Sequence, residues 1–522
     1  MLDPAGTPEG GTMADLNRRA FLQGVAAAAG GGVLAGGSLQ ALLTAAAGAS
    51  PPDFGALGPV ADVRDGKVRL HLRPGFQYRS FHDTDGPAIF LDDGSRLTGR
   101  HDGMAAFPGP DGNVWLVRNH EHNGSAFNGA LGGVGTPYDS SALGGTTTSL
   151  VTSFGVVVEA FTSLNGTQMN CAGGAMPWGS WITCEETING PDVADDFTRN
   201  IPVPSPPDTY IQNARLTKPH GFIFEVPASG QSDRQPIMHA GRFAHEAAAY
   251  SPDEGYVYLT EDNFGFASGF YRYIPPSNPV GAGHLEDGGR LEALKVVGLM
   301  NKHLEGDQEN GATYSVEWVE IDEPFPGTGT FGLKDDPVTG PRRWYNDEAI
   351  SFVGDQGRAR GAAHFSRLEG ANYTHGEIYF TSTQGGGPEE TVVQDDARGY
   401  GNGTGQVWSY NPRTSILTCR YQAPSGAVLD FPDNITAKSD RGTIVLCEDG
   451  AAPNFIRGLT RDGELFDIAL NRLTRNSDGA PRFGEEFAGA TFGPGTDTLF
   501  VNIQASAGIS FAIWGPWGRL GV

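Results

Sequence analysis

The chain has 522 residues, with 36 Lys plus Arg against 61 Asp plus Glu, a formal charge of −25. So acidic a surface repels a phosphate backbone, which excludes nucleic acid as a partner. The 76 glycines and 35 prolines follow no period, which excludes collagen. With short apolar runs between turn signals, they point to an all-β fold.

In chain order, Asn17-Arg-Arg-Ala-Phe-Leu-Gln23 resembles the twin-arginine export consensus. It is followed by an Ala/Gly-rich stretch from Gly24 to about Ala47 and by the small residues Ala47-Gly-Ala49. Residues 1–49 are therefore expected to be a signal peptide for the twin-arginine export machinery, and residues 50–522 one domain, periplasmic or secreted. Met13 is a second candidate start. The stretch is too rich in Gly, Ala, Ser and Thr for a membrane anchor, and no other segment reads as a span.

Lys67–Leu72 and Phe76–Phe81 read as strands that pair with Ile509–Trp514 and close a ring. Between them, one kind of run recurs six times: Val114–Glu121, Trp181–Glu186, Tyr256–Asn263, Ile378–Thr383, Ile444–Asp449 and Leu499–Gln504. Each is a short apolar, β-branched or aromatic segment, as a buried strand requires. Repetition at this scale predicts a six-bladed β-propeller with these runs as its innermost strands. Phe222–Pro227, Phe270–Pro275 and Val407–Pro412 read as outer strands ending at proline. The longest gap implies an insertion around 276–350. In it, Leu291–His303 has the spacing of a short amphipathic helix; Gly298 leaves an irregular loop as an equal reading.

A polar cluster precedes each run: His101-Asp-Gly103, Asn170-Cys-Ala-Gly-Gly174, Ala244-His-Glu246, Arg358-Ala-Arg-Gly361, Pro432-Asp-Asn434 and Glu485-Glu-Phe-Ala-Gly489. In a propeller these would be entry loops at the channel mouth. The run ends would converge there too, bringing Glu121, Glu185, Glu186, Glu261, Asp262, Glu448 and Asp449 together. Crowded carboxylates repel unless cations lie between them, so a multi-metal site on the axis is expected. Asp102 and Glu246 join the oxygen ligands, and Cys171 and His245 are softer candidates. Of the four cysteines, Cys171, Cys184, Cys419 and Cys447, three pairings are open. A Cys184–Cys447 bond would have to cross the channel and is disfavoured.

Asn119-His-Glu121, Asn170–Gly174, Pro177–Glu186, Gly241–Ala249, Glu261-Asp-Asn263, Cys447–Gly450 and Glu486–Gly489, taken in order, resemble the PhoX-type alkaline phosphatases. That resemblance implies a propeller carrying ferric iron (Fe3+) and calcium (Ca2+) on its axis and hydrolysing small phosphomonoesters outside the cytoplasm. It implies Cys171 and Glu246 as iron ligands, with Glu121, Glu185, Glu186, Asp449 and their neighbours sharing the other positions. It also implies Arg-x-Glu-Gly at the fourth entry loop. Matched to Arg358-Ala-Arg360-Gly361, the sequence departs: Arg360 stands where a metal-binding carboxylate belongs, while Arg358 is placed to grip a phosphate oxygen.

The expected enzyme is thus an exported monomeric phosphomonoesterase in which a metal-bound oxide or hydroxide attacks phosphorus in line. Arg358 would orient the phosphate, and Glu486 would assist at the mouth. Two other readings are a calcium-dependent lactonase or esterase, with which Pro432-Asp-Asn434 is compatible, and a non-enzymatic binding propeller braced by metals.

Overall fold

The computed structural model describes residues 55–122, 131–133, 135–195, 213–390, 400–438, 442–451 and 453–522; the expected twin-arginine signal at residues 1–49 lies outside them. The described residues form antiparallel meanders set around one axis. Their first strands are His101–Pro108, Asn170–Met176, His245–Ser251, Leu368–Thr374, Pro432–Ala437 and Phe487–Phe492. Each first strand packs against the next, and the last returns to the first, so the ring closes. This is the β-propeller expected, with these six strands innermost in blades 1 to 6.

The apolar runs picked out by sequence are the second strands of the blades: Val114–His120, Ser180–Glu185, Tyr256–Glu261, Glu377–Ser382, Ile444–Glu448 and Thr498–Ile503. The clusters read as entry loops lie instead at or near the starts of the innermost strands, except in blade 4. The reason is steric. Near the axis the strands approach so closely that large side chains do not fit. A Cβ on Gly174 would lie 1.8 Å from the carbonyl oxygen of Ala248, and one on Gly173 1.9 Å from that of Ile182. Sequences such as Asn-Cys-Ala-Gly-Gly-Ala-Met and His-Glu-Ala-Ala-Ala-Tyr-Ser therefore lack the β-branched signature of a buried strand. Beyond the acidic ring the axis opens into a cavity of about 380 Å³, lined partly by Ala172, Ala247, Gly370 and Asn434.

Ring closure combines both ends of the chain. Gln77–Phe81 pairs with Ile509–Trp514, with Phe81 opposite Ser510, and completes blade 6. Val68–Leu72 pairs instead with Leu465–Asn471 and extends blade 5 outward. Ile223–Pro227, Phe270–Ile274 and Gln406–Asn411 are the third strands of blades 2, 3 and 4. The stretch read as a helix or loop from Leu291 is a strand, Arg290–Val296. It pairs with Thr313–Ile321, which reaches across to Ile416–Gln422 and joins blades 3 and 4 into one sheet. Local pattern was overridden there by a free sheet edge, which takes up a segment able to fill its ladder. Large aromatics pack between the blades; Trp408, Tyr258, Tyr271 and Tyr410 are fully buried. All four cysteines are free thiols. No helix among the described residues is long and apolar enough to cross a membrane.

Candidate metal centre on the axis

Blades 1 to 5 begin with the same irregularity. Ladder register slips between His101 and Met104, Asn170 and Gly173, His245 and Ala248, Leu368 and Ala371, and Pro432 and Ile435. Each slip is a β-bulge in which two residues face one on the second strand, and a bulge re-aims its side chains. The first bulged residues are Asp102, Cys171, Glu246, Glu369 and Asp433, every one of them buried. Blade 6 bulges too, between Ala488 and Thr491. Its first bulged residue is Gly489, at φ +61°, where a Cβ would meet the carbonyl oxygen of Asp102 at 2.4 Å. Blade 6 therefore contributes no side chain from this position.

Two groups of potential ligands result: Cys171 with Glu186 and Glu246, and Glu246 with Glu369 and Asp433. Within each group the ligand atoms lie within 4.8 Å of one another. Glu246 belongs to both. Burial raises its pKa well above the ordinary carboxylate range, and Asp433 and Asp102 raise it further. Burial, Asp262 and Asp433 do the same to Glu369; burial, Glu121 and Asp433 do so to Asp102. The Cys171 thiol is pushed up by burial and by Glu246. These groups would hold protons unless a cation took their place, and a bound cation inverts that balance. The buried Oε2 of Glu246 has no hydrogen-bond partner among the described residues. A mixed thiolate and carboxylate set fits ferric iron, and an all-carboxylate set fits iron or calcium. The residues present therefore fit the expected ions.

The strand pleat decides which of the paired carboxylates belongs here. Consecutive side chains alternate in direction, so the two members of Glu185-Glu186, Glu261-Asp262 and Glu448-Asp449 point apart. The first members lie in neither ligand group, in contrast to the expectation that Glu185, Glu261 and Glu448 are ligands, and protein donors hold each of them. The Glu185 carboxylate accepts the backbone N–H of Gln168 and Gly221, both at 2.9 Å, and Nδ1 of His220 at 2.6 Å. Glu261 accepts the N–H of Gly269 and the hydroxyl of Tyr271, both at 2.8 Å. Glu448 accepts the N–H of Phe455 at 3.0 Å and Nε of Arg457 at 2.8 Å. All three tie the second strand to the start of the third.

Of the second members, Glu186 lies in the first group. Asp262 accepts Nε of Arg367 at 3.2 Å and Nη2 at 3.0 Å. Asp449 is half-buried, lies outside both groups and raises the pKa of nearby Asp430. On the blade 1 side, Glu121 pairs with Arg100. Gln504 Nε2 bridges Glu121 and Asp102 at 2.5 and 2.8 Å. Glu486 is buried within electrostatic reach of Arg100. His245 is turned away, its Nε2 bonded to the carbonyl of Gly241 at 2.9 Å.

A family model described as alkaline phosphatase PhoX matches residues 157–507. The chain belongs to the PhoX alkaline phosphatase family. Among solved structures it is similar to Pseudomonas fluorescens PhoX in complex with vanadate, a transition state analogue. That match has 16% identity, a TM-score of 0.60, and coverage of 88% of this chain and 98% of the other. A gluconolactonase from Xanthomonas campestris matches at 12% identity over 82% of this chain and 98% of its own, with a TM-score of 0.35. No curated protein matches the chain.

Within the PhoX family frame, the fourth blade needs a correction. Arg358 lies in the helix Phe352–Ala359, donating to the carbonyl of Ala267 at 2.9 Å and to Asp355 at 2.7 Å. Arg360 caps that helix and pairs with exposed Asp322. Neither is at the start of the innermost strand. The residues there are Arg367-Leu-Glu369-Gly370, an Arg-x-Glu-Gly sequence seven positions after Arg360. Glu369, not Arg360, therefore stands at the start of the innermost strand of blade 4, and it has the sequence surroundings expected of that position. Arg367 is buried between Asp262, Glu369 and Gln384. Glu369 was missed because the helical insertion ahead of blade 4 offered an earlier arginine pair. The signal that locates it is its place just before the second strand Glu377–Ser382, as Cys171 stands before Ser180–Glu185.

Proposed function

We propose that this protein is an exported, metal-dependent phosphomonoesterase that works as a monomer, with a metal centre built from the five bulges. The observation that carries the reading is the position of Glu246, shared by two buried ligand groups in a chain of the PhoX alkaline phosphatase family. Cys171, Glu186 and Glu246 would hold ferric iron. Glu246, Glu369 and Asp433 would hold a second ion, while Asp102, Glu121, Asp262 and Asp449 would serve calcium, directly or through water. Bound there, the cations would supply Lewis acidity and an activated water.

The chain's own residues would do the rest. Arg367, clamped by Asp262 and Glu369, would bind a phosphate oxygen and hold phosphorus in line. Gln504 keeps Asp102 and Glu121 apart by donating to both, and Arg100 offsets their charge. Glu486 would meet the leaving group at the mouth. Export rests on the twin-arginine pattern at Asn17–Gln23.

The test is hydrolysis of 4-nitrophenyl phosphate by the full chain with and without a calcium chelator. Activity lost with chelator and regained with calcium is expected. Arg367→Ala should raise KM about tenfold or more, the scale of a charge-assisted hydrogen bond. Full activity in chelator, or no phosphatase activity in metal-replete protein, would overturn the proposal.

A further inference from the structure

The bulged residues sit outside the ladder, so their backbone carbonyls need another partner. In four blades that partner is a side chain on the second strand of the preceding blade. Asn119 Nδ2 donates to the carbonyls of Cys171 and Ala172, both at 2.8 Å. Thr260 Oγ1 donates to the carbonyl of Glu369 at 2.6 Å. Thr381 Oγ1 donates to that of Asp433 at 2.6 Å, and Asn502 Nδ2 to that of Asp102 at 2.6 Å. The corresponding residues in blades 2 and 5 are Cys184 and Cys447, and the bridges there are of another kind: Cys171 Sγ lies 3.6 Å from the carbonyl of Glu246, and Asn434 Oδ1 accepts the N–H of Gly489 at 2.6 Å.

The two threonines also contact their own blade. Thr260 Oγ1 accepts the backbone N–H of Ala247, the residue after Glu246, at 2.9 Å. One hydroxyl therefore links the backbone at Glu246 to the backbone at Glu369. Thr381 Oγ1 gives its one hydrogen to the carbonyl of Asp433 at 2.6 Å, bridging blade 4 to blade 5, and lies 3.4 Å from the carbonyl of Gly370, the residue after Glu369. Glu246, Glu369 and Asp433 are the members of the second ligand group. Their three carboxylates come from three blades, and two threonine hydroxyls bond across the junctions between those blades.

We infer that Thr260 and Thr381 are positioning residues for the metal centre, setting the spacing of its ligands from outside it; Asn119 does the same for Cys171. The inference rests on the metal-centre reading above. Outer residues that orient ligands typically change metal affinity by about ten- to a hundredfold, whereas hydroxyls that only satisfy a buried carbonyl would change stability and leave affinity alone.

The two roles separate in metal-stripped full chain titrated with calcium alone and, separately, with ferric iron alone. Thr260→Val and Thr381→Val keep the shape and remove the hydroxyl. Each is expected to weaken the dissociation constant of at least one ion about tenfold, while Thr260→Ser and Thr381→Ser, which keep the donor, stay within about twofold. Unchanged metal affinity in the valine variants, whatever their melting temperature, would overturn the inference. If one valine variant fails to fold, the other carries the same test. If wild-type protein binds neither ion, the metal-centre reading itself has failed.

Discussion

Two sets of buried carboxylates lie within a few residues of each other in this propeller, and they do opposite work. Glu185, Glu261 and Glu448 end the second strands, where backbone N–H groups and an imidazole, phenol or guanidinium surround each of them. Glu246, Glu369, Asp433 and Asp102 begin the innermost strands and lie within electrostatic reach of one another, although Arg367 donates to Glu369 and Gln504 to Asp102. Both sets are acidic, buried and close to the axis in sequence terms. The difference is who satisfies the charge: donors of the protein in the first set, and in our account cations in the second. Burial and charge alone do not mark a candidate ligand; oxygens from several blades brought within a few ångströms of one another do.

The comparison is broken most sharply by removing one member of each set. Glu246→Gln takes away the ligand common to both groups, and phosphatase activity should fall about a thousandfold, the scale of several kcal/mol of transition-state charge stabilisation. Glu185→Gln should instead destabilise the fold by about 1–3 kcal/mol, because it weakens the buried hydrogen bonds to Gln168, Gly221 and His220 while Asp139 remains beside the imidazole. Protein that still folds should keep its metals. Denaturant titration and elemental analysis of both variants check this, and a Glu185→Gln protein that is stable but metal-poor would reverse the assignment.

Protonation sharpens the contrast further. Burial opposes charge on His220, but Glu185 and Asp139 outweigh it and raise its pKa to about 9. A raised pKa means the folded state favours the imidazolium. Its contribution is present in full below about pH 6.5, the ordinary value, and is lost as pH rises through about 9; it amounts to about 3 kcal/mol. Stability should therefore decline over this alkaline window, and His220→Asn should flatten the decline. The smallest effect is expected at Arg360, whose ion pair with Asp322 is exposed. Arg360→Glu should change stability by less than about 1 kcal/mol and leave activity as it was, because the residue is remote from the axis.

Much of this was legible in the sequence, but one strand out of place. The second strands announce themselves because blade packing needs Val, Ile, Leu and aromatics. The innermost strands do not, because the axis admits only Gly, Ala and the polar residues of the bulges. Cys171 and Glu246 were recognisable as motifs, and Asp102 and Asp433 stood in clusters of the right kind. The choice within Glu185-Glu186 or Glu261-Asp262 depends on which face of the pleat each occupies, and a one-residue shift reverses it. Glu369 was hidden by the helix Phe352–Ala359, which carries arginines of its own just ahead of the true Arg367-Leu-Glu-Gly370.

The central claim is that the bulged residues hold metal through a thiolate and a shared glutamate. It is tested most directly by elemental analysis and a visible absorption spectrum of active protein purified from an exporting host, beside Cys171→Ala. The account predicts iron and calcium in the active protein, colour from a thiolate-to-iron band, and loss of that band on replacing Cys171. Colourless, iron-free protein with full phosphatase activity would contradict it.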